Sequence, residues 1–248
     1  MENRHGMSEL NKIVAEAMRE GPNRGQHKCQ YCGQAYTRET SLVAHQCEPK
    51  RKAQQRTEVG VQLGYQAWIR FYEMSQGSAK TKTYEDFAKN QFYTAFVKFG
   101  RHCHSINAIN AGRFIDFVLK NNIKIDHWCH DKHYERYLFE LLRTEATQDA
   151  LDRGIKHMVD WSEETGETWN DYFRKVSNPR LISNLTSGRI SPWLLYNCDS
   201  GIEALARLNE AEVTLVWPWI DPDFWDKRLR DYAADTELAK HILTEAGI

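Results

Sequence analysis

Long apolar runs are missing from this 248-residue sequence. The longest, such as Val213 to Ile220, fall far short of the ~20 residues a bilayer span requires. The N-terminus is polar and charged, so neither a membrane span nor a signal peptide is expected. Cysteine is scarce too. Six cysteines are too few for a disulfide scaffold in a chain of this length, and Cys29, Cys32 and Cys47 cluster at metal-ligand spacing, which favours a reducing compartment. A glycine-rich phosphate loop, a nucleophile elbow, a metal-hydrolase helix and an acid/base pair at usable spacing are all lacking. Asp221, Asp223 and Asp226 fall close together, but Asp221 suits a helix cap and Asp226 lies in the charged helix that follows. The chain is therefore not expected to be an enzyme. There is no convincing strand alternation and no internal repeat.

What is present suits a folded, water-soluble protein. Hydrophobic residues make up 41% and aromatic residues 12% of the chain, enough for a sizeable core, against 27% charged residues and a mean hydropathy of −0.68. The net charge of −1 conceals an uneven distribution. Residues 1–144 carry 22 Lys+Arg against 15 Asp+Glu, and residues 145–248 carry 11 against 19. A basic front and an acidic rear fit either two binding faces of different preference or a self-complementary monomer.

Ser8 followed by Leu10, Ile13, Val14, Ala17 and Met18 has helical spacing and ends at Gly21-Pro22, predicting a short amphipathic helix and a connector over residues 1–26. Residues 50–58, beginning Lys50-Arg51-Lys52 and continuing to Arg56, are basic and poor in aliphatic side chains, and they read as a linker and domain boundary. Beyond it, residues 59–248 read as one all-helical body. Apolar residues recur at helical spacing in Tyr65, Trp68, Ile69 and Tyr72, in Tyr134, Tyr137, Leu138, Leu141 and Leu142, in Leu151, Ile155, Met158 and Val159, and in Trp169, Tyr172, Phe173 and Val176. Ser191-Pro192, Asp221-Pro222 and Asn209 mark helix starts. The expected fold class is mostly α.

Residues 27–49 carry the strongest motif. Cys29 and Cys32 are separated by two residues and His45 follows after twelve more, a spacing that resembles the first three ligands of a zinc finger, and Tyr36 and Leu42 sit where such fingers place their two small-core hydrophobes. About twenty residues cannot fold on buried apolar area alone, so a metal must supply the missing free energy. The pattern resembles the zinc-finger family with two cysteine and two histidine ligands. That resemblance implies a ββα module and one structural Zn²⁺. This sequence departs from the family at the fourth ligand, where Cys47 follows His45 after a single residue and Pro49 comes next. Side chains two apart on a helix diverge, so Cys47 can close the shell only if the helix ends near His45; His27 or a water are the alternatives.

If the module docks on DNA as its family does, Arg38, Ser41 and Ala44 occupy the base-reading positions, with Arg38 suited to guanine. Lys50, Arg51, Lys52 and Arg56 would add phosphate contacts. A protein-binding finger with a merely solvated basic tail stays open beside that reading. The clusters His102-Cys103-His104 and His127 to His133 lack a closed tetrahedral spacing and read as surface or core residues. Most of the eight tryptophans fall in apolar stripes; Trp217 and Trp219 form the candidate partner-docking ridge.

The body, residues 60–235, resembles proteins carried by tailed bacteriophages of the T4 type. The order of its segments, Tyr65 to Met74, Phe92 to Phe99, Phe114 to Trp128, and Ile190-Ser191 through Trp217 to Tyr232, is similar to the phage replicative helicase-loading proteins, all-helical binders of DNA forks. Those proteins do not require a zinc module. The resemblance implies recruitment of a phage or host protein at phage DNA in the cytoplasm of a bacterial host, and no chemistry by this chain. The function expected is that of a zinc-dependent, nucleic-acid-associated accessory protein, with DNA favoured over RNA. The alternative is a protein–protein adaptor or virion-associated structural component without a nucleic-acid role.

Overall fold

The computed structural model describes residues 27–77 and 81–248, together with Lys12. Apart from that lysine, the amphipathic helix expected near the N-terminus lies outside the described residues. The protein is mostly α, as its periodicity predicts, and the chain divides into two compact units, Met1–Ile106 and Asn107–Ile248.

The first unit opens with two short antiparallel strands, β1 (His27–Lys28) and β2 (Ala35–Tyr36), paired His27 to Tyr36 and Lys28 to Ala35. The chain between them turns at Gly33, whose φ of 73° lies in the left-handed region that glycine adopts without penalty. Helix α1 (Glu39–Ala44) follows, then α2 (Glu48–Gln54), α3 (Val59–Gln76), α4 (Tyr84–Lys89) and α5 (Tyr93–Ser105). Thr83 and Asp86 form a reciprocal capping box at the start of α4. Phe87, fully buried, meets the rings of Tyr65, Trp68, Tyr84 and Tyr93 at centroid distances of 4.7 to 5.8 Å, the tilted and edge-on contacts that aromatic quadrupoles favour.

Helices α3 and α5 touch backbone to backbone. A Cβ added at Gly100 would lie 2.1 Å from the carbonyl oxygen of Gly60 and 2.3 Å from the nitrogen of Gly64. No side chain fits there, so three glycines on two helices fix how closely the pair approaches.

The basic stretch at 50–58 is not a free linker. Residues 48–54 form α2, with Pro49 in its first turn, where the missing N–H costs nothing. Lys52 donates to the Ala88 carbonyl at 2.8 Å and sits 4.4 Å from the Tyr93 ring centroid, while Tyr84 donates its hydroxyl hydrogen to the Lys52 carbonyl at 2.7 Å. The sequence reading missed this because a lysine can bury its methylene stem over aromatic rings while its charge finds acceptors. The module at 27–47 is thereby continuous with the helices after it, and the segment from 59 to 248 is divided between two units.

The second unit contains α6 (Ala111–Lys120), α7 (Asp131–Thr144), α8 (Thr147–Thr165), α9 (Tyr172–Lys175), α10 (Asn178–Thr186), α11 (Pro192–Leu195), α12 (Asp199–Ala206), α13 (Glu210–Ile220), α14 (Pro222–Asp231) and α15 (Ala233–Glu245). The anticipated caps are in place. Ser191 accepts from the Trp193 amide, Asn209 makes a capping box with Glu212, and Asp221 accepts from the amides of Asp223 and Phe224. The core is rich in tryptophan: Trp128, Trp193 and Trp225 are fully buried, the last two in edge-to-face contact at 5.9 Å.

One charge lies deep within this unit. Glu145, 2% exposed, accepts two hydrogen bonds from Arg153 at 2.7 and 2.9 Å and one from the Ser191 hydroxyl at 2.9 Å. Arg153 also donates to the Gly188 carbonyl at 2.8 Å, and Arg228 donates to the backbone carbonyl of Glu145 at 3.0 Å. With both carboxylate oxygens occupied, the buried ion pair meets the condition for being tolerated away from water.

Candidate metal centre

Four side chains converge at the module: Cys29, Cys32, His45 and Cys47 place their ligand atoms within 4.8 Å of one another. Cys29 and Cys32 lie on the turn between β1 and β2, closed by a 2.9 Å hydrogen bond from the Cys29 amide to the Gln34 carbonyl and a 2.8 Å bond from the Gly33 amide to the Cys29 carbonyl. Helix α1 ends at Ala44, and His45 leaves it with an extended backbone, φ −64° and ψ 124°. That break solves the spacing problem posed by a ligand two residues on. Cys47, itself extended at φ −117° and ψ 161°, turns back toward the cluster as the N-cap residue of α2.

The distances suit a single tetrahedral ion. Sγ of Cys29 lies 3.9 Å from Sγ of Cys47, and Sγ of Cys32 lies 3.2 Å from Nε2 of His45. The two sulfurs are too far apart for a disulfide, whose S–S length is ~2.05 Å, and Cys29, Cys32 and Cys47 are free thiols. Cys29 is buried while Cys32 is exposed. The Cys32 amide, hydrogen-bonded to the Cys29 sulfur, holds that thiol below its usual range against an opposing push from burial. For Cys32 the Gln34 amide pulls downward, but burial and the neighbouring thiols outweigh it and push the thiol up. Backbone N–H groups aimed at sulfur favour the thiolate, the form that ligates metal.

Tyr36 adds a contact that its role as a core hydrophobe does not suggest. Its hydroxyl lies 2.6 Å from Nδ1 of His45. With Nε2 bound to an ion, Nδ1 would carry the hydrogen and donate it to the Tyr36 oxygen, fixing the tautomer and the ring plane of the ligand. Burial, followed by the charges of the three cysteines, pushes the Tyr36 phenol above its usual range, so it remains a neutral hydroxyl. The available signal was a tyrosine at a position where an apolar ring would suffice.

The residues expected to touch nucleic acid are divided. Arg38, immediately ahead of α1, and Ser41 and Ala44 on it are exposed, as is Arg51 on α2. The other three basic residues are engaged within the chain. Lys50 donates to the carbonyls of His45 at 2.9 Å and Val43 at 3.4 Å, a cation closing the C-terminal end of α1. Lys52 makes the contacts described above and pairs with Glu48 at 2.8 Å, holding that carboxyl below its usual range. Arg56 pairs with Glu85 at 3.3 Å over the Tyr84 ring. The proposed docking ridge is divided as well: Trp217 is 49% exposed, while Trp219 is 8% exposed and packs edge-on against Phe139 at 5.8 Å.

Among the described residues no helix is long and apolar enough to cross a membrane. No family model, curated protein or solved structure matches the chain.

Proposed function

We propose that this chain is a zinc-stabilised accessory protein that associates with nucleic acid, DNA in preference to RNA, and recruits a protein partner through its helical body. Three thiolates and one imidazole form a donor set characteristic of structural Zn²⁺. At a Zn–S length of ~2.3 Å a tetrahedron places two sulfurs ~3.8 Å apart, and the Cys29 to Cys47 separation is 3.9 Å. Because four protein ligands fill the shell, the ion supplies folding free energy to the module rather than a reactive water.

The observation that carries the nucleic-acid reading is the joint exposure of Arg38, Ser41 and Ala44 at the start and along one side of α1. In a helix presented to the major groove these side chains meet base edges, and the forked donors of Arg38 suit guanine. With Lys50 and Lys52 engaged internally, the phosphate contacts fall to Arg51, to the exposed Lys28 on β1 and to Arg56, whose ion pair with Glu85 is solvent-exposed. A partner at a phage replication fork in a bacterial cytoplasm is the setting that the resemblance of the body implies.

The test is fluorescence anisotropy of the Zn²⁺-loaded chain with single-stranded, duplex and forked DNA and with RNA across a salt series. Two or three phosphate contacts predict a log–log slope of about −2 to −3 on duplex DNA, at ~0.9 per contact. Arg38→Ala combined with Arg51→Ala should remove most of the binding, as should Cys29→Ser. A preference for forks would support the replication setting. No binding at low salt would overturn the reading in favour of a protein adaptor. That second reading has its own support: Tyr31, Leu42 and Val43 line a shallow apolar groove between Lys28 and Lys50, with Val43 69% exposed, and co-purification of a partner from nuclease-treated lysate would favour it.

A further inference from the structure

Helix α13 holds the apolar run from Val213 to Ile220, in which only Thr214 is polar. Apolar side chains therefore lie all round the helix, more than one face can hide. Val216, Trp219 and Ile220 are buried in the second unit, whereas Leu215 is 62% exposed and Pro218, three residues on, is exposed beside it.

Leu215, Pro218 and Trp219 form one wall of a groove whose other wall is α7. Lys132, Arg136 and Phe139 line it from α7, at the spacing of four and three residues that puts side chains on one helix face. Arg143, one turn further along the same face, closes the far end. Its guanidinium lies 4.0 Å from the Phe139 ring centroid, donates to the Pro218 carbonyl at 3.4 Å, and meets Asp221 at 3.8 Å. The charge of Arg143 is thus matched within the chain. Lys132 and Arg136 are both exposed, and Arg136 donates to the neutral side-chain oxygen of Asn121 at 3.0 Å. Among the described residues neither has an ion-pair partner. Glu135 is the one carboxylate lining the groove, so its rim carries net positive charge.

We infer that this groove is the docking site for an amphipathic helix of a partner protein, one whose apolar stripe is bordered by Asp and Glu. The inference rests on the reading that the helical body recruits a protein partner, and it names the surface and the chemistry. A bulky apolar side chain of the incoming helix enters between Leu215 and Phe139 and removes both from water. Lys132 and Arg136 stand one helical turn apart, so carboxylates one turn apart on the partner face them together.

The experiment selects peptides about four helical turns long from a displayed random library on the Zn²⁺-loaded full-length chain, then measures the enriched peptides in solution against variants whose thermal unfolding matches the parent. The expected peptides carry Leu, Phe or Trp at positions i, i+4 and i+7 bordered by Asp or Glu, and their binding weakens as salt rises. Leu215→Asp, at an exposed position, should weaken them at least tenfold, as should Lys132→Glu combined with Arg136→Glu. Enriched peptides that are basic would overturn the charge assignment and the proposal with it. Equal affinity in Leu215→Asp would place partner docking elsewhere and overturn the groove alone, whereas no enrichment at all would overturn the groove together with recruitment by the body. A parent dimer that is lost in Leu215→Asp would also overturn the proposal, since the occupant would then be a second copy of this chain.

Discussion

At the scale of single residues, the metal centre depends on how its ligands are held. The Tyr36 hydroxyl orients His45 through Nδ1 at 2.6 Å, and loss of such outer-shell partners costs about 10- to 100-fold in metal affinity. Tyr36→Phe, which keeps the ring in the small core, should lower metal affinity by about tenfold while leaving helix content unchanged; competition against a chromophoric chelator measures it. Equal affinity in the variant would mean that the hydroxyl has no hold on the ligand. A second residue tests acid stability. His157 is half-buried with its Nε2 unpartnered, and burial, then Arg189 and Arg180, hold its pKa below the usual value. Below about pH 6.5, the unperturbed value, the unfolded chain takes up a proton that the folded chain resists, so stability falls as pH falls through that window and is complete above it. His157→Phe should therefore show a smaller drop in urea midpoint between pH 7.5 and 5.5 than the parent. The ligand residues were legible because metal spacing is local in sequence. The Tyr36 contact was not, because a tyrosine in an apolar row does not reveal where its hydroxyl points.

At the scale of elements, the packing of the second unit is organised by the buried pair Glu145 and Arg153, which links the start of α8 to the segment entering α11. Removing one member of a buried, fully hydrogen-bonded pair strands the other and costs ~3–5 kcal/mol. Arg153→Ala should lose about that much in denaturant unfolding. The apolar double variant Glu145→Leu with Arg153→Met should recover most of it, since an unpaired charge and not the missing attraction carries the cost. An equal loss in the double variant would contradict that account. The same distinction separates the legible elements from the illegible ones. The caps at Ser191, Asn209 and Asp221 were readable because a cap is a contact between near neighbours. The approach of α3 to α5 was not: Gly60, Gly64 and Gly100 scatter as ordinary glycines along the chain, and only folding sets the third against the first two. Lys52 escaped for the same reason, because the Ala88 carbonyl and the Tyr93 ring it needs lie some forty residues downstream.

At the scale of the molecule, the metal module and the helices after it belong to one compact unit, and Cys47 is the joint. It is at once a ligand of the quartet and the N-cap residue of α2, whose far end is held to α4 through Lys52 and Tyr84. Metal-binding free energy in such a module is folding free energy, so its loss should travel along the covalent path through α2 and weaken as it reaches helices with their own packing. Chelation of the metal should thus raise backbone hydrogen exchange across residues 27–54, raise it modestly in α4, and leave α6 to α15 at their original rates as an internal reference. Deprotection that stops at residue 47 would mean that α2 stands without the centre, and the module would then be an appendage. Uniform deprotection would mean that the metal underwrites the whole fold. The graded outcome is the one the contacts require, because α2 has no buried residue of its own and is held by Cys47 and by Lys50 on the Val43 and His45 carbonyls at one end, and by Lys52 and Tyr84 at the other.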